Sequence, residues 1–341
     1  MSAEFRSSSP REASAQAQPN IALVKYWGKR DLPLNLPAVG SLSVTLDSLW
    51  TRTRVRFDRE LAADRVLLNG RSDDKEARRV IECLDLLRAR AGCSFRAEVE
   101  SRNNFPTGAG LASSASGFAA LVVAAVRALD LVLLPSELSA LARRGSGSAA
   151  RSIFGGFVEW SRGEKPDGSD SIARPVLAAE DWPLAVVVAV TSTAQKSVGS
   201  TEGMNLTRDT SPYYRAWVDT SEEDLAEARA AVLSKDFERL AAISEYSCLK
   251  MHALALAARP GLLYWNGATV EAMHAVRSLR ASGVPVFFTV DAGPQLKAIC
   301  LPQAAAQVRA VLQAVPGVLR IHESGLGAGA RTISSAEAAL A

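Results

Sequence analysis

The sequence predicts an α+β protein built in two halves. Three strand-like runs of alternating or β-branched residues come before a polar helix and a further strand. A loop rich in glycine and serine then leads into a long apolar helix. Finally, Trp182-Pro183 interrupts the pattern just before a continuous β-branched run at 184–190, which is typical of a central strand and opens the second half.

The first half is expected to span residues 19–183. Residues 1–18 are rich in Ser, Ala and Gln, show no periodic pattern, and are predicted to be a disordered leader. Strands are predicted at 21–26, 42–46, 51–57, 95–101 and 156–160. Helices are predicted at 74–91, from the serine-rich loop to 130, and from a cap at Ser136 to 144.

The second half is expected to span residues 184–341. Its first strand is followed by a long polar segment, 191–212, and then by a helix that begins at Ser221 as its N-cap and ends near 233. Further elements are predicted as helices at 237–256, 269–282 and 303–315 and a strand at 284–290.

Composition limits the classes of partner. The chain has 341 residues, of which 48% are hydrophobic, so it can form substantial cores. The balance of 39 Lys and Arg against 36 Asp and Glu leaves a net charge of +3, too small to indicate nucleic acid or membrane binding. Arg52, Arg54 and Arg56 alternate along one strand and are interpreted as a solvated face. No apolar run approaches the ~18 residues that span a bilayer.

Cysteine and histidine usage argues against disulfide and zinc sites. The four cysteines show no C-x-x-C spacing and no signal peptide opens the chain, so reduced thiols and a cytoplasmic location are expected. The three histidines lie far apart in sequence and are interpreted as structural: His252, His274 and His322.

The loop 104–117, with the sequence NFPTGAGLASSASG, is the strongest local signal. Its small residues let backbone N–H groups approach an anion, and the following helix directs its positive end at the loop. The hydroxyl groups of Ser113, Ser114 and Ser116 are suited to bind oxygen or metal. The loop matches neither the P-loop nor the dinucleotide fingerprint. It predicts a polyphosphate site, the alternative being a serine-capped buried helix after a turn.

Three further clusters mix glycine with charged or hydroxyl groups at the ends of apolar elements, as site loops on a rigid scaffold do. Lys25 and Lys29 bracket a Tyr-Trp-Gly turn, where they could surround an anion or face solvent. The segment 145–152 offers serine hydroxyls and an arginine suited to phosphate, or simply ends a helix. Asp291 ends an apolar strand, where it could take a proton or form a turn.

A family resemblance rests on six segments, which occur in the order NIALVKYWGKRDLPLNLP, SLSVTLDSL, NNFPTGAGLASSASGFAAL, RRGSGSAARSIFGGFVEW, DGSDSIA and DAGP. Together they resemble the mevalonate diphosphate decarboxylases of the GHMP kinase superfamily, and Met251-His252-Ala253 is similar to the bacterial type. The resemblance implies a two-lobed GHMP-kinase fold with an N-terminal ribosomal-protein-S5-like lobe that binds ATP. A C-terminal ferredoxin-like lobe, 184–341, would carry the catalytic aspartate, and a homodimer is expected.

The resemblance also implies a reaction. ATP, with Mg²⁺, would phosphorylate the tertiary 3-hydroxyl of mevalonate 5-diphosphate, and phosphate and CO₂ would then leave to give isopentenyl diphosphate. A 3-hydroxy acid has no carbonyl group to accept the electrons of decarboxylation, so the hydroxyl must become a leaving group. No organic cofactor is required.

The resemblance implies a role for each matched residue. Asp291 would orient or deprotonate the 3-hydroxyl, Arg151 would hold the substrate carboxylate, and Lys25 would assist transfer. Ser114 would bind phosphoryl oxygens and the magnesium of the nucleotide. The remaining ATP-binding residues would be Gly108, Gly110, Ser113, Ser116 and Lys196. The remaining substrate-binding residues would be Tyr26, Lys29, Ser146, Ser148 and Ser200.

Two departures from the family pattern concern the substrate. Val39-Gly40 stands where the family has an Asn-Ser or Asn-Asn pair, and Gln295 stands where it has asparagine after DAGP. The alternatives are therefore a decarboxylase of mevalonate 5-phosphate or a kinase that stops at the 3-phosphate. A non-catalytic metabolite-binding scaffold is the alternative from a different class.

Overall fold

The computed structural model describes residues 11–105, 113–194 and 196–339. In the first half the strands are β1 (Arg11–Ala17), β2 (Asn20–Val24), β3 (Lys29–Asp31), β4 (Leu36–Pro37), β5 (Ser41–Thr45), β6 (Thr51–Asp58), β7 (Arg65–Leu68), β8 (Arg96–Asn103), β9 (Phe157–Trp160) and β10 (Ala173–Leu177). Its helices are α1 (Asp74–Ala91), α2 (Ser113–Ala128), α3 (Pro135–Gly145) and α4 (Ala149–Ser152).

The second half begins with β11 (Ala185–Val190). Its helices are α5 (Ser200–Thr210), α6 (Tyr214–Ser234), α7 (Phe237–Leu256), α8 (Gly267–Ala281), α9 (Ala305–Gln313) and α10 (Ser335–Ala339). Its other strands are β12 (Val286–Val290), β13 (Leu296–Cys300), β14 (Arg320–Ser324) and β15 (Arg331–Ile333). The α+β class predicted from the sequence agrees with these elements.

Three larger sheets and one small hairpin organise these strands. The first sheet has the order β15-β1-β6-β8-β7, in which only the β7–β8 pair is parallel. The second has the order β10-β9-β5-β2, and the third has the order β12-β13-β11-β14. Strands β3 and β4 pair with each other.

The sequence explains the best-predicted helix and strand. Asp73 caps α1 by accepting a hydrogen bond from the Glu76 backbone, and Gly92 ends the helix in the left-handed conformation at φ 61°. On β6 the alternating arginines are half-buried, and Arg54 pairs with Glu98 and Glu100 of β8. The interpretation of this face as the solvated face of a half-buried strand agrees with the burial pattern.

The two halves share a continuous core. Apolar residues of β2 and β5, such as Leu23 and Val44, belong to one buried cluster with Val188 and Ile299 of the third sheet. A separate cluster fills the space between the first sheet and helices α1 to α3. The shared core holds the ends of β2 and β12 against each other, and the functional residues follow directly after those ends.

The predicted leader and the predicted second half each need correction. Residues 11–17 are not disordered but form β1, whose small side chains, such as Ala15 and Ala17, are completely buried between neighbouring strands and α2. The last part of the predicted second half, 184–341, returns to the first sheet, because β15 pairs with β1. Each correction involves a short run of small or polar residues whose burial only tertiary packing reveals.

Three local predictions were also wrong. Helix α3 begins at Pro135 rather than after a Ser136 cap, because proline favours the first helical position and the Glu137 side chain accepts a hydrogen bond from the Leu134 N–H. Ser221 lies inside α6, where its hydroxyl donates to the Trp217 carbonyl. The segment 191–212, predicted only as polar, contains α5.

Candidate active site

Asp291 lies at the centre of a cluster of buried lysines. It follows the end of β12, and Lys25 follows the end of β2. The Lys25 Nζ is 2.5 Å from Asp291 Oδ1, and the Lys297 Nζ is 3.2 Å from Oδ2. Both lysine side chains are 1% exposed, whereas the Asp291 side chain is 27% exposed. The carboxylate is therefore held from behind by two cations while one side stays open.

The lysines decide the ionisation of Asp291. Burial by itself would raise the pKa of this carboxyl group, but the charges and hydrogen bonds of Lys25 and Lys297 outweigh it and hold the pKa well below its usual value. Burial also lowers the pKa of the Lys297 ammonium, and Asp291 opposes that change. Asp291 is an ionised carboxylate throughout the neutral range.

Helix α7 fixes both ends of this ion cluster. The Ser247 hydroxyl accepts a hydrogen bond from the Lys25 backbone N–H at 3.0 Å. The Cys248 sulfur accepts one from the Val290 N–H at 3.2 Å, and His252 Nε2 lies 3.1 Å from the Val290 carbonyl. Burial lowers the pKa of His252 to about 3, so the ring is neutral and donates this bond. Its structural role agrees with the sequence interpretation.

The loop after Asp291 is held by a buried amide. Gln295 Oε1 accepts a hydrogen bond from the Thr191 N–H at 2.7 Å, and its Nε2 donates to the Ser192 carbonyl at 2.6 Å. The Pro294 carbonyl accepts from the hydroxyls of Thr191 and Thr269. Gln295, which departs from the family's asparagine, is thus a completely buried side chain that supports the loop. The Gln295 side chain does not itself face the cleft.

Arg151 provides the second fixed charge. This residue of α4 is 2% exposed and donates to Asn20 Oδ1 at 3.1 Å and to the Ser41 hydroxyl at 2.5 Å. Burial lowers the pKa of its guanidinium to about 10, although Asp291 and Tyr26 favour the charged form. The group stays cationic at neutral pH and is oriented by side chains from β2 and β5.

Tyr26 lies beside Arg151 with a buried hydroxyl that has no hydrogen-bond partner among the described residues. Its ring packs edge-on against Trp160 at 4.8 Å between centroids. Burial raises the pKa of the phenol, which therefore stays protonated. A Cβ atom at Gly147 would lie 2.7 Å from the Tyr26 oxygen, so glycine is required for this close approach. The orphaned hydroxyl is suited to donate to an anionic ligand.

The predicted serines meet at the start of α2. The hydroxyl oxygens of Ser114 and Ser146 are 3.1 Å apart, and those of Ser146 and Ser148 are 3.5 Å apart. The close approach of α3 to α2 depends on Gly145, where a Cβ atom would overlap the Phe118 ring. Ser113 is the first residue of α2.

Two predictions about this loop have different outcomes. Ser116 does not join the other serines, because it is completely buried and its hydroxyl lies 2.6 Å from that of Thr51. Its helical position points it towards the first sheet. Gly108 and Gly110 lie outside the described residues.

Two more lysines contact the first residues of α5. The Lys196 Nζ donates to the Ser200 hydroxyl at 2.8 Å and to the Ala292 carbonyl at 3.2 Å. The Lys29 Nζ lies 3.4 Å from the Thr201 hydroxyl. Burial, and then the nearby Arg79, lower the pKa of Lys29 to about 8. Burial likewise lowers the pKa of Lys196.

Positive charge exceeds negative charge throughout this site. Asp291 is surrounded by Lys25, Lys297, Lys196 and Arg151, a net excess that favours anionic ligands. Within residues 11–105, 113–194 and 196–339, no group of three or more His, Cys, Asp or Glu side chains is placed to hold a metal. A divalent cation would therefore depend on ligand phosphates and hydroxyls such as that of Ser114, which suits Mg²⁺.

Sequence reasoning missed three side chains of the site: Asn20, Ser41 and Lys297. Asn20 and Ser41 stand one residue before the strands predicted at 21–26 and 42–46 and open two of the quoted segments, but neither carried a separate signal. Lys297 did carry one, because it is a lysine within the otherwise apolar strand Leu296–Cys300. A charge in such a run requires a buried partner.

Two family models together match most of the chain. Residues 17–173 match a family model described as the diphosphomevalonate decarboxylase-like N-terminal domain, and residues 186–332 match one described as the mevalonate 5-diphosphate decarboxylase C-terminal domain. The chain belongs to the mevalonate diphosphate decarboxylase family. The family resemblance drawn from the motifs is thereby confirmed.

Relatives in the family match over most of their length. The diphosphomevalonate decarboxylase of Ganoderma lucidum is 40% identical over 306 residues, covering 83% of this chain and 76% of the relative. The human diphosphomevalonate decarboxylase is 39% identical over 318 residues, covering 87% and 79%.

Solved structures in the family share the whole fold. Mevalonate diphosphate decarboxylase from Staphylococcus aureus aligns with a TM-score of 0.90 at 41% identity, covering 96% of this chain and 99% of that one. A structure of MDDEF in complex with MVAPP, AMPPCP and magnesium aligns with a TM-score of 0.89 at 40% identity, covering 96% and 100%. The predicted two-lobed family fold is confirmed.

Proposed function

We propose that this chain catalyses the ATP-dependent decarboxylation of mevalonate 5-diphosphate to isopentenyl diphosphate, with ADP, phosphate and CO₂ as the other products. The observation that carries the proposal is Asp291, ionised between Lys25 and Lys297 and electrostatically coupled to Arg151. One fixed anion among several fixed cations suits a substrate that brings a hydroxyl group, a carboxylate and a diphosphate.

Asp291 accepts the hydrogen bond of the substrate 3-hydroxyl at its open side. Because the lysines stabilise its ionised form, this carboxylate is a weak base, and its main contribution is to aim the hydroxyl oxygen. The hydroxyl proton passes to the Asp291 carboxylate as the new oxygen–phosphorus bond forms, and the bond between the terminal phosphorus of ATP and its bridging oxygen breaks to release ADP. Lys25 and Lys196 supply positive charge where phosphoryl oxygens would gather.

The nucleotide phosphates are proposed to bind at the start of α2. That end of the helix and the hydroxyl of Ser114 offer a positive helix end and a donor for phosphate oxygens. ATP with Mg²⁺ supplies the phosphoryl group that converts the 3-hydroxyl into a leaving group. The residues proposed to hold the diphosphate end of the substrate are Tyr26, Lys29, Ser146, Ser148 and Ser200.

Arg151 is proposed to hold the substrate carboxylate until it departs. Breaking the carbon–carbon bond releases CO₂ and leaves two electrons that form the new double bond, while the bond from C3 to the phosphate oxygen breaks. Positive charge develops at C3 during this step, and the negative charge of the ionised Asp291 is proposed to stabilise that positive charge.

The test measures CO₂ and ADP with purified protein, Mg²⁺ and ATP, using mevalonate, its 5-phosphate and its 5-diphosphate in turn. Equal amounts of CO₂ and ADP from the diphosphate are expected. CO₂ from the monophosphate alone would reassign the substrate, and ADP without CO₂ would indicate a 3-kinase. No turnover with any substrate would favour the non-catalytic scaffold.

Homodimerisation is also proposed from the family resemblance. Analytical ultracentrifugation of the full chain tests it, with a single species of twice the monomer mass expected.

In the part of the chain that the structure describes, no helix is long and apolar enough to cross a bilayer.

A further inference from the structure

We propose that Lys297 is a positioning residue, which fixes the plane and the charge of the Asp291 carboxylate so that its open side faces the substrate hydroxyl. The proposal rests on the proposed function for its chemistry and on the lysine cluster for its geometry. It assigns a role in the reaction to a side chain that none of the quoted motifs includes.

The geometry requires a donor on each carboxylate oxygen. Rotation of a carboxylate about its last single bond is broad and roughly two-fold, so one partner leaves the plane loosely defined. Lys25 binds Oδ1 and Lys297 binds Oδ2, so the two ammonium groups together fix that rotation. Four lone-pair directions exist on a carboxylate, and the remaining ones are available to a ligand on the exposed side.

The position of Lys297 in the sheet makes a purely structural role costly. It lies on the central strand β13, opposite Thr289 of β12 and Val188 of β11. The next residue on the same face, Ile299, belongs to the apolar core shared by both halves. Burying an ammonium on this apolar face carries a desolvation penalty that its ion pair with Asp291 offsets, and replacing such a pair as a whole by apolar side chains of similar volume is often neutral or stabilising. The charge therefore serves the carboxylate.

Every element packed around Asp291 contributes to its charge environment. Lys25 comes from the end of β2, Lys297 from β13, and Lys196 from the segment after β11. Arg151 faces it from α4, and α7 presents Cys248 and the neutral His252. Burial raises the pKa of Asp291, and the lysine charges lower it. Removing the Lys297 charge weakens the lowering effect, so the pKa of Asp291 moves upward.

The first test compares Lys297→Met with the wild type in steady-state kinetics across pH. Methionine keeps most of the side-chain volume and removes the charge. We expect kcat to fall about 10- to 100-fold, because a small misplacement of a reacting group slows the reaction by factors of this size. The KM values should change little, and a new acidic limb should appear in kcat/KM as Asp291 protonates.

The matched control is Lys250→Met, which removes a partly buried ammonium of α7 from its ion pair with Asp224 of α6. It should leave the pH profile unchanged. Wild-type kinetics for Lys297→Met, with no new acidic limb, would overturn the proposal. Inactivity of the wild type itself would instead count against the proposed function.

A second measurement does not depend on turnover. Carbon-13 NMR of labelled aspartate carboxyl groups, with Asp291→Asn used for assignment, follows the titration of Asp291 directly. We expect it to titrate at higher pH in Lys297→Met than in the wild type. Coincident titrations would overturn the proposal, whether or not the enzyme is active. If Lys297→Met does not fold, Lys297→Ala with added ethylammonium provides the comparison, and titration restored towards the wild type is expected.

Discussion

Gln295 joins the loop that carries Asp291 to Thr191, because its side-chain oxygen accepts the Thr191 N–H at 2.7 Å. Its amide nitrogen binds the next carbonyl, that of Ser192, at 2.6 Å. The segment that begins at Thr191 leads to Lys196 and Ser200. One buried amide thus couples the loop that carries Asp291 to the segment proposed to bind phosphate.

Gln295→Leu should weaken this coupling and the fold together. Leucine fills the space but leaves a buried N–H and a buried carbonyl unpaired, which costs about 1–3 kcal/mol for each group. We expect a lower unfolding midpoint in urea and a reduced kcat. Gln295→Asn restores the residue type common in the family. It tests whether the shorter amide side chain still reaches the Thr191 N–H and the Ser192 carbonyl. Equal stability of all three proteins would show that the amide bonds are not required.

Arg151→Gln should impair use of the substrate carboxylate. A hydrogen bond to a charged group contributes about 1.5–3 kcal/mol, so kcat/KM for mevalonate 5-diphosphate should fall roughly 10- to 100-fold. ATP affinity, measured by calorimetry, should be unaffected. An equal loss of ATP affinity would place Arg151 on the nucleotide side instead.

Lys29 should produce a basic limb in kcat/KM. Its pKa is lowered to about 8 by burial and by Arg79, so the free enzyme loses this positive charge as pH rises through 8. Below that pH the ammonium is present and the diphosphate binds; above it, binding weakens. Lys29→Arg keeps the charge and should remove the limb. A limb that persists unchanged in Lys29→Arg would assign it to another group.

Gly147→Ala should disturb Tyr26. The added methyl group would lie 2.7 Å from the Tyr26 oxygen, so the ring must move away from Trp160. We expect a higher KM for the diphosphate substrate. The control is Gly267→Ala at the start of α8, where a Cβ atom meets nothing within 4 Å. Similar KM values in both variants would contradict this account of the site.

Local signals predicted the elements that carry their own caps and periodicity. Helix α1 has its predicted bounds because Asp73 and Gly92 mark them in the sequence. Strand β1 was missed because its alanines, serine and glutamine have little strand propensity, and β6 and β15 recruit them on either side. Tertiary packing there outweighs propensity.

The site was predicted in part for a similar reason. Motifs identified Lys25, Asp291 and Arg151, but no local rule brings together residues 266 positions apart. Lys297 was missed because a lysine in a strand usually faces solvent, and only the pairing of β13 between β11 and β12 shows that this one is buried. Ser116 was included because its hydroxyl follows Ser113 and Ser114 in the sequence, but its position on α2 places it against Thr51 of β6.

The most direct test of the central claim measures CO₂ and ADP production by Asp291→Asn. Asparagine keeps the shape of the side chain and removes the charge that aims the 3-hydroxyl. We expect turnover to fall by about 10²–10⁴-fold, with ATP affinity largely preserved. Asp224→Asn changes another lysine-paired aspartate, which lies on α6, and should retain activity. Unchanged CO₂ and ADP formation by a folded Asp291→Asn protein would contradict the account.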